Sequence, residues 1–109
     1  MFDYFEDNNI VVVQLDYDLA ENTVIAFNED MKELIKAGKI YFVLDLKMVA
    51  FMTSMGLGAL CELNKRLQPL NGWIRLARVK SQLKDFFAFT MLTDMFQIYE
   101  TIEEAVETK

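Results

Sequence analysis

The sequence predicts an α/β domain with a mixed, mostly parallel β-sheet, an N-terminal hairpin and about four helices packed against it. Three observations carry this. Apolar and β-branched runs alternate with segments of helical period, the connections between them are short, and one run, Ile40 to Leu46, is apolar almost throughout. Alternation of this kind with short loops is satisfied by crossovers that lay helices against parallel strands. At 109 residues the chain fits one domain, spanning 1–109, and a hydrophobic share of 53% suffices for a core without disulfide or metal staples.

Each element has its own local reason. Residues 2–5 and 10–15 are aromatic and β-branched, and Asp7-Asn8-Asn9 between them suits a tight turn, so the chain opens on a hairpin. From Asn22 to Ala37, Val24, Phe27, Met31, Leu34 and Ile35 recur at helical spacing opposite Glu29, Asp30, Lys32, Glu33 and Lys36. Gly38 follows where a helix end favours a left-handed residue. Ile40 to Leu46 then reads as a central strand covered on both faces.

After the loop Lys47 to Met52, the stretch Ser54 to Leu67 returns to helical period, with Leu57, Leu60, Cys61, Asn64 and Leu67 along one side and Thr53 or Ser54 as cap. Pro69 limits that helix and Asn71-Gly72 makes a turn. Trp73 to Ala77 reads as a strand, with Trp73 in the core. A helix from about Ser81 to Leu92 points Leu83, Phe86, Phe87 and Thr90 inward. A short strand, Phe96 to Tyr99, precedes the capping box Thr101-Ile-Glu-Glu104, which opens a last helix running through Val106.

Composition excludes much chemistry. The chain has no histidine and a single cysteine, Cys61, which removes the commonest general base, the commonest metal ligand and any multi-thiolate site. Cys61 itself reads as a buried apolar thiol. A net charge of −6 argues against binding to nucleic acid or to an anionic membrane surface. No segment reads as a signal peptide or bilayer span, so a cytoplasmic protein is expected. Within 61–84 the balance is locally basic, and Lys65, Arg66, Arg75, Arg78, Lys80 and Lys84 read as a solvated face. Asp16 and Asp18, two acids in a turn after a strand, read as solvated or capping groups.

The window Met48 to Leu60 breaks the local rules. Gly56 and Gly58 stand in the first turns of a helix, where each costs about 1 kcal/mol relative to alanine. A glycine there lets another backbone or a partner approach, beside N–H groups that are unpaired and electropositive. No Gly-Lys-Ser/Thr follows, so a phosphate loop is not indicated. Met48, Met52 and Met55 crowd the same window beside Phe51, and at least one of them is expected to lie exposed as an adaptable apolar contact.

Phe42-Val-Leu-Asp-Leu46 followed by Phe51-Met-Thr-Ser-Met-Gly-Leu-Gly-Ala-Leu60 resembles the central motif of STAS domains, specifically the bacterial anti-sigma factor antagonists. Phe89 to Phe96, Tyr99 to Val106 and the turn Gln14 to Asp18 are similar to other segments of that family. The resemblance implies a non-enzymatic switch with no cofactor. Such a protein binds an anti-sigma factor, often a serine kinase, and so releases a sigma factor until the kinase phosphorylates a serine. Carried over, Ser54 takes the place of that phosphoacceptor, and Asp18, Met52, Thr53, Ser54, Met55, Gly56 and Gly58 form the partner-binding set. Asp18 and Asp45 match acidic strand-end positions. Thr53 stands where the family has Asp, Met55 replaces a small residue, and Leu15 replaces Gly.

Three further readings remain open on sequence grounds. The Ser54 hydroxyl can be an ordinary helix cap that is never modified. The domain can be an unswitched scaffold or a homodimerising module that binds another protein or an apolar ligand through the methionine-rich surface. It can also be a small nucleotide-hydrolysing domain built on the Gly56/Gly58 terminus.

Overall fold

Two consecutive asparagines make the first turn. Asn8 and Asn9 take φ values of 54° and 69°, the left-handed pair that a two-residue hairpin needs to match strand twist. They join β1 (Asp3–Asp7) to β2 (Ile10–Gln14) in an antiparallel register that sets Phe5 opposite Val12. The computed structural model describes residues 3–90 and 95–107. Its sheet runs in chain order, with β3 (Tyr41–Asp45), β4 (Trp73–Ala77) and β5 (Gln97–Tyr99) added in parallel, so β3 is central as expected.

Helix α1 (Val24–Lys36) starts two residues later than its periodicity suggests, because residues 20–23 form a turn of their own. Thr23 Oγ1 donates to the Asp18 carbonyl at 2.8 Å and accepts from Ala20 N–H at 3.0 Å. At the other end Gly38, at φ 92°, donates to Ile35, and Lys39 N–H reaches back to the Leu34 carbonyl at 3.0 Å. This pairing satisfies the last free carbonyls of the helix.

Helix α2 (Ser54–Leu67) buries Leu57, Leu60, Leu63 and Leu67. The inward stripe therefore passes through Leu63 rather than Asn64. Asn64 and Cys61 sit half-buried at its flank, so the thiol is less enclosed than the sequence suggests. Burial still pushes the Cys61 thiol above its ordinary pKa. A single 3-10 turn, Gln68–Leu70, and left-handed Asn71 lead into β4.

Helix α3 (Ser81–Phe89) buries Leu83 and Phe87 and half-buries Phe86, and Thr90, which follows the helix, is half-buried as well. The expected end at Leu92 lies outside the described residues, as do Phe2 in the opening strand and residues 91–94 of the closing motif. The capping box forms as anticipated: Glu104 N–H donates to Thr101 Oγ1 at 3.1 Å and Thr101 N–H to Glu104 Oε1 at 3.3 Å, opening α4 (Ile102–Glu107).

Side chains on the two faces of the strands enter different cores. Val11, Val13, Phe42, Leu44, Ile74 and Leu76 pack with α1, α2 and α3, while Ile10, Val12, Val43 and Ala77 pack with Ala105 of α4. Arg75, on the α4 side, is not solvated as its charge suggested. It is buried, donates to the Ala105 carbonyl at 2.8 Å and lays its guanidinium 3.7 Å from the Trp73 ring centroid. Trp73 itself is half-buried against Tyr41, their centroids 5.2 Å apart. Among the described residues no helix is long and apolar enough to cross a membrane.

Candidate functional site

The site is the amino end of α2, presented by the loop that leaves the carboxyl end of β3. The loop is held from both ends. Asp45, only 4% exposed, closes β3 and accepts two hydrogen bonds from Arg78, Nε at 3.0 Å and Nη2 at 2.5 Å. Its Oδ1 also accepts Lys47 N–H at 3.2 Å, which bends the chain away from the sheet. Leu46 and Val49 are buried, with Val49 N–H donating to the Leu46 carbonyl, so the tip residues Lys47 and Met48 project outward. Arg78 holds φ 56°, unusual for a side chain of its size, and the bidentate bond to Asp45 raises its already high pKa.

The second half of the loop is fastened to the segment after β2. Asp18 Oδ1 accepts from Ala50 N–H at 2.7 Å and Phe51 N–H at 3.3 Å, and Thr53 N–H donates to the Leu19 carbonyl at 3.1 Å. Leu19 and Met52 form an isolated parallel bridge. Asp18 is therefore a loop staple, whereas Asp16 is exposed.

Thr53, not Ser54, caps the helix. Its Oγ1 accepts Gly56 N–H at 3.3 Å, and its carbonyl takes the first helical bond from Leu57. Ser54 is thus the first helical residue. It is exposed, and among the described residues its hydroxyl has no hydrogen-bond partner. The N–H groups of Ser54 and Met55 likewise have no acceptor among the described residues, so the positive end of the helix faces solvent there.

The two glycines part ways. A β-carbon on Gly56 would lie 2.1 Å from the Leu19 carbonyl oxygen, so this glycine lets the chain's own backbone come close. Gly56 is buried, and its expected place in a contact surface is corrected accordingly. A β-carbon on Gly58 would meet nothing within 4 Å. Among the described residues no packing demand explains that glycine.

The methionines divide in the same way. Met52 is 5% exposed and belongs to the main core, because its bridge to Leu19 turns it inward; it cannot be the contact residue expected of it. Phe51 and Met55 are each 53% exposed, and Met48 is more so. The outward surface of the site is therefore Met48, Phe51, Ser54, Met55 and Gly58, with Thr53 half-buried at its base. Arg78 and the Leu19 carbonyl were invisible beforehand, since nothing local marks a residue whose partner lies more than thirty positions away. Among the described residues no cluster of three metal-ligating side chains occurs.

A family model for the STAS domain matches residues 2–105. The chain belongs to the STAS domain family. Several solved structures share this STAS fold. A candidate anti-sigma factor antagonist of Thermotoga maritima, TM1081, is 23% identical and superimposes with a TM-score of 0.91 over 97% of this chain and 92% of that one. The anti-sigma factor antagonist SpoIIAA in its unphosphorylated form is 21% identical, with a TM-score of 0.83 over 98% of this chain and 94% of that one. The phosphorylated form of SpoIIAA, a Bacillus cell fate determinant, gives 0.75 at the same identity over 98% and 97%. The same STAS fold recurs in the murine anion transporter Slc26a9, at 20% identity and a TM-score of 0.77, over 94% of this chain but 18% of that one.

Proposed function

We propose that this STAS domain is an anti-sigma factor antagonist. It binds an anti-sigma factor of the serine-kinase type, displaces the sigma factor that protein holds, and is switched off by phosphorylation of Ser54. It works without a cofactor, in the cytoplasm. The observation that carries this reading is Ser54 itself: exposed, without a hydrogen-bond partner among the described residues, and relieved of capping duty by Thr53. Two solved structures of SpoIIAA, one phosphorylated and one not, share the fold, which fits a domain of this shape working as a phosphoswitch.

The physics of the switch follows from the geometry. A phosphate on Ser54 brings about −1.5 to −2 charges to the amino end of a helix, beside two N–H groups that have no acceptor among the described residues. That is a favourable place for an anion, so modification leaves the fold intact. The effect falls on docking. A partner that covers Phe51, Met55 and Gly58 has to bury the phosphate or withdraw, and burying an uncompensated dianion is costly.

Binding by the unmodified chain relies on the apolar collar. Phe51 and the flexible Met48 and Met55 supply adaptable contact area, and Gly58 leaves the helix backbone bare for close approach at its position. Incubation with ATP and a serine-kinase anti-sigma factor from the same genome, followed by mass spectrometry, tests the reading. One phosphoryl group on Ser54 and none in Ser54→Ala is the expected result. Modification elsewhere, or none with every such kinase, overturns it.

A further inference from the structure

We infer that the free edge of β1 is a docking strand for an extended, lysine- or arginine-bearing segment of another protein. This surface does not depend on the function proposed for the α2 site, although Asp3 at its start lines a pocket shared with Lys47 and Met48 of the loop there. β1 lies at the end of the sheet and, among the described strands, pairs with β2 alone. All five of its residues are exposed, and Tyr4 and Phe5 stand half-exposed on opposite faces, as neighbours in a strand must. The opposite edge, β5, has only three residues. β1 is therefore the longer template for an added strand.

Charge selects the occupant. Asp3, Glu6 and Asp7 give this strand three acids and no base. Lys39 already reaches Glu6 at 2.8 Å, a local instance of an ammonium drawn to this edge. A second copy of the chain fits badly. An antiparallel pair of β1 strands centred on Phe5 sets Asp3 opposite Asp7 twice over, and like charges directly across a ladder repel. A segment that alternates basic and β-branched residues places cations against Asp3 and Asp7 while its backbone completes the ladder.

The test uses the full chain, labelled with nitrogen-15, and a synthetic peptide alternating lysine and valine, with a glutamate-valine peptide as control. The lysine peptide is expected to shift and protect the amides of Asp3 to Asp7, with affinity falling about tenfold between low and high salt. Asp3→Asn with Asp7→Asn, which keeps side-chain shape, weakens that binding. Asp7→Lys makes the edge self-complementary, since Lys then faces Asp3 on both sides, and this variant sediments as a larger species than the wild type. Circular dichroism confirms that both variants are folded. Unmoved β1 amides at millimolar lysine peptide, equal shifts with the glutamate peptide, or an Asp7→Lys chain that sediments like the wild type would each overturn the proposal.

Discussion

The Leu19 carbonyl oxygen occupies the space that a β-carbon on residue 56 would need, 2.1 Å from where that atom would sit. The amino end of α2 is thereby locked to the segment after β2, and the same carbonyl accepts Thr53 N–H at 3.1 Å. Alanine ordinarily strengthens a helix relative to glycine. Gly56→Ala should do the reverse, losing about 1–3 kcal/mol to overpacking against a backbone atom. Urea denaturation of this variant beside the wild type gives the sign directly.

Gly58→Ala, two residues along, makes the opposite prediction. Its β-carbon meets nothing, so the variant should gain about 1 kcal/mol in the same denaturation experiment. If the bare helix surface exists for a partner, that gain comes with weaker binding to the anti-sigma factor. Titration calorimetry reads the second half of the prediction, and unchanged affinity would leave Gly58 without a role in docking.

Asp45 and Arg78 form the other fastening of the loop. Arg78→Ala leaves a nearly fully buried carboxylate facing a lost partner and should cost about 2–3 kcal/mol, less than for a wholly enclosed pair because Arg78 is a third exposed. Arg78→Lys keeps the charge but loses the fork geometry, and should fall between. Adding Asp45→Asn to Arg78→Ala should restore part of the loss, since the orphaned charge is then gone. Thermal melts of the three variants and the wild type check the order.

Tyr17 gives a pH-dependent prediction. Its hydroxyl is buried, and among the described residues it has no hydrogen-bond partner. Burial, with Asp30 and Asp16 adding to it, pushes the phenol from an ordinary 10.0 up to about 12. The folded state thus keeps the proton more tightly than the unfolded chain. The stability this contributes is complete below pH 10 and is lost as pH rises from 10 to about 12. Tyr17→Phe should remove that part of the alkaline loss and, by deleting an unsatisfied polar atom, stabilise the protein by about 1 kcal/mol at neutral pH. Denaturation midpoints measured at several pH values test both statements.

What was legible in the sequence follows the range of the interactions. The Asn8-Asn9 turn, the Gly38 helix end and the Thr101–Glu104 box are decided by neighbours, and the structure places each as expected. The helical stripe of α2 was right at Leu57, Leu60 and Leu67 and wrong at Asn64, because the period of 3.6 admits either 63 or 64 after Leu60. Residues whose surroundings come from distant segments were misread. Arg75 and Arg78 looked like surface charges until Ala105 and Asp45 supplied their partners. Met52 and Gly56 looked like contact residues until Leu19 closed over them. Within the candidate site, sequence alone located the exposed residues Ser54, Met55 and Gly58 but could not separate them from these two.

Hydrogen exchange on the chain, free and bound to its anti-sigma factor, probes the α2 terminus most directly. In the free protein the Ser54 and Met55 amides have no acceptor among the described residues and should exchange quickly, whereas those of Ala50 and Phe51 are held by Asp18. The account predicts that complex formation slows exchange at Ser54 and Met55 in the unmodified chain, and that adding the anti-sigma factor to the Ser54-phosphorylated chain slows them no further. Protection confined to some other face, with these two amides still exchanging freely, would contradict it.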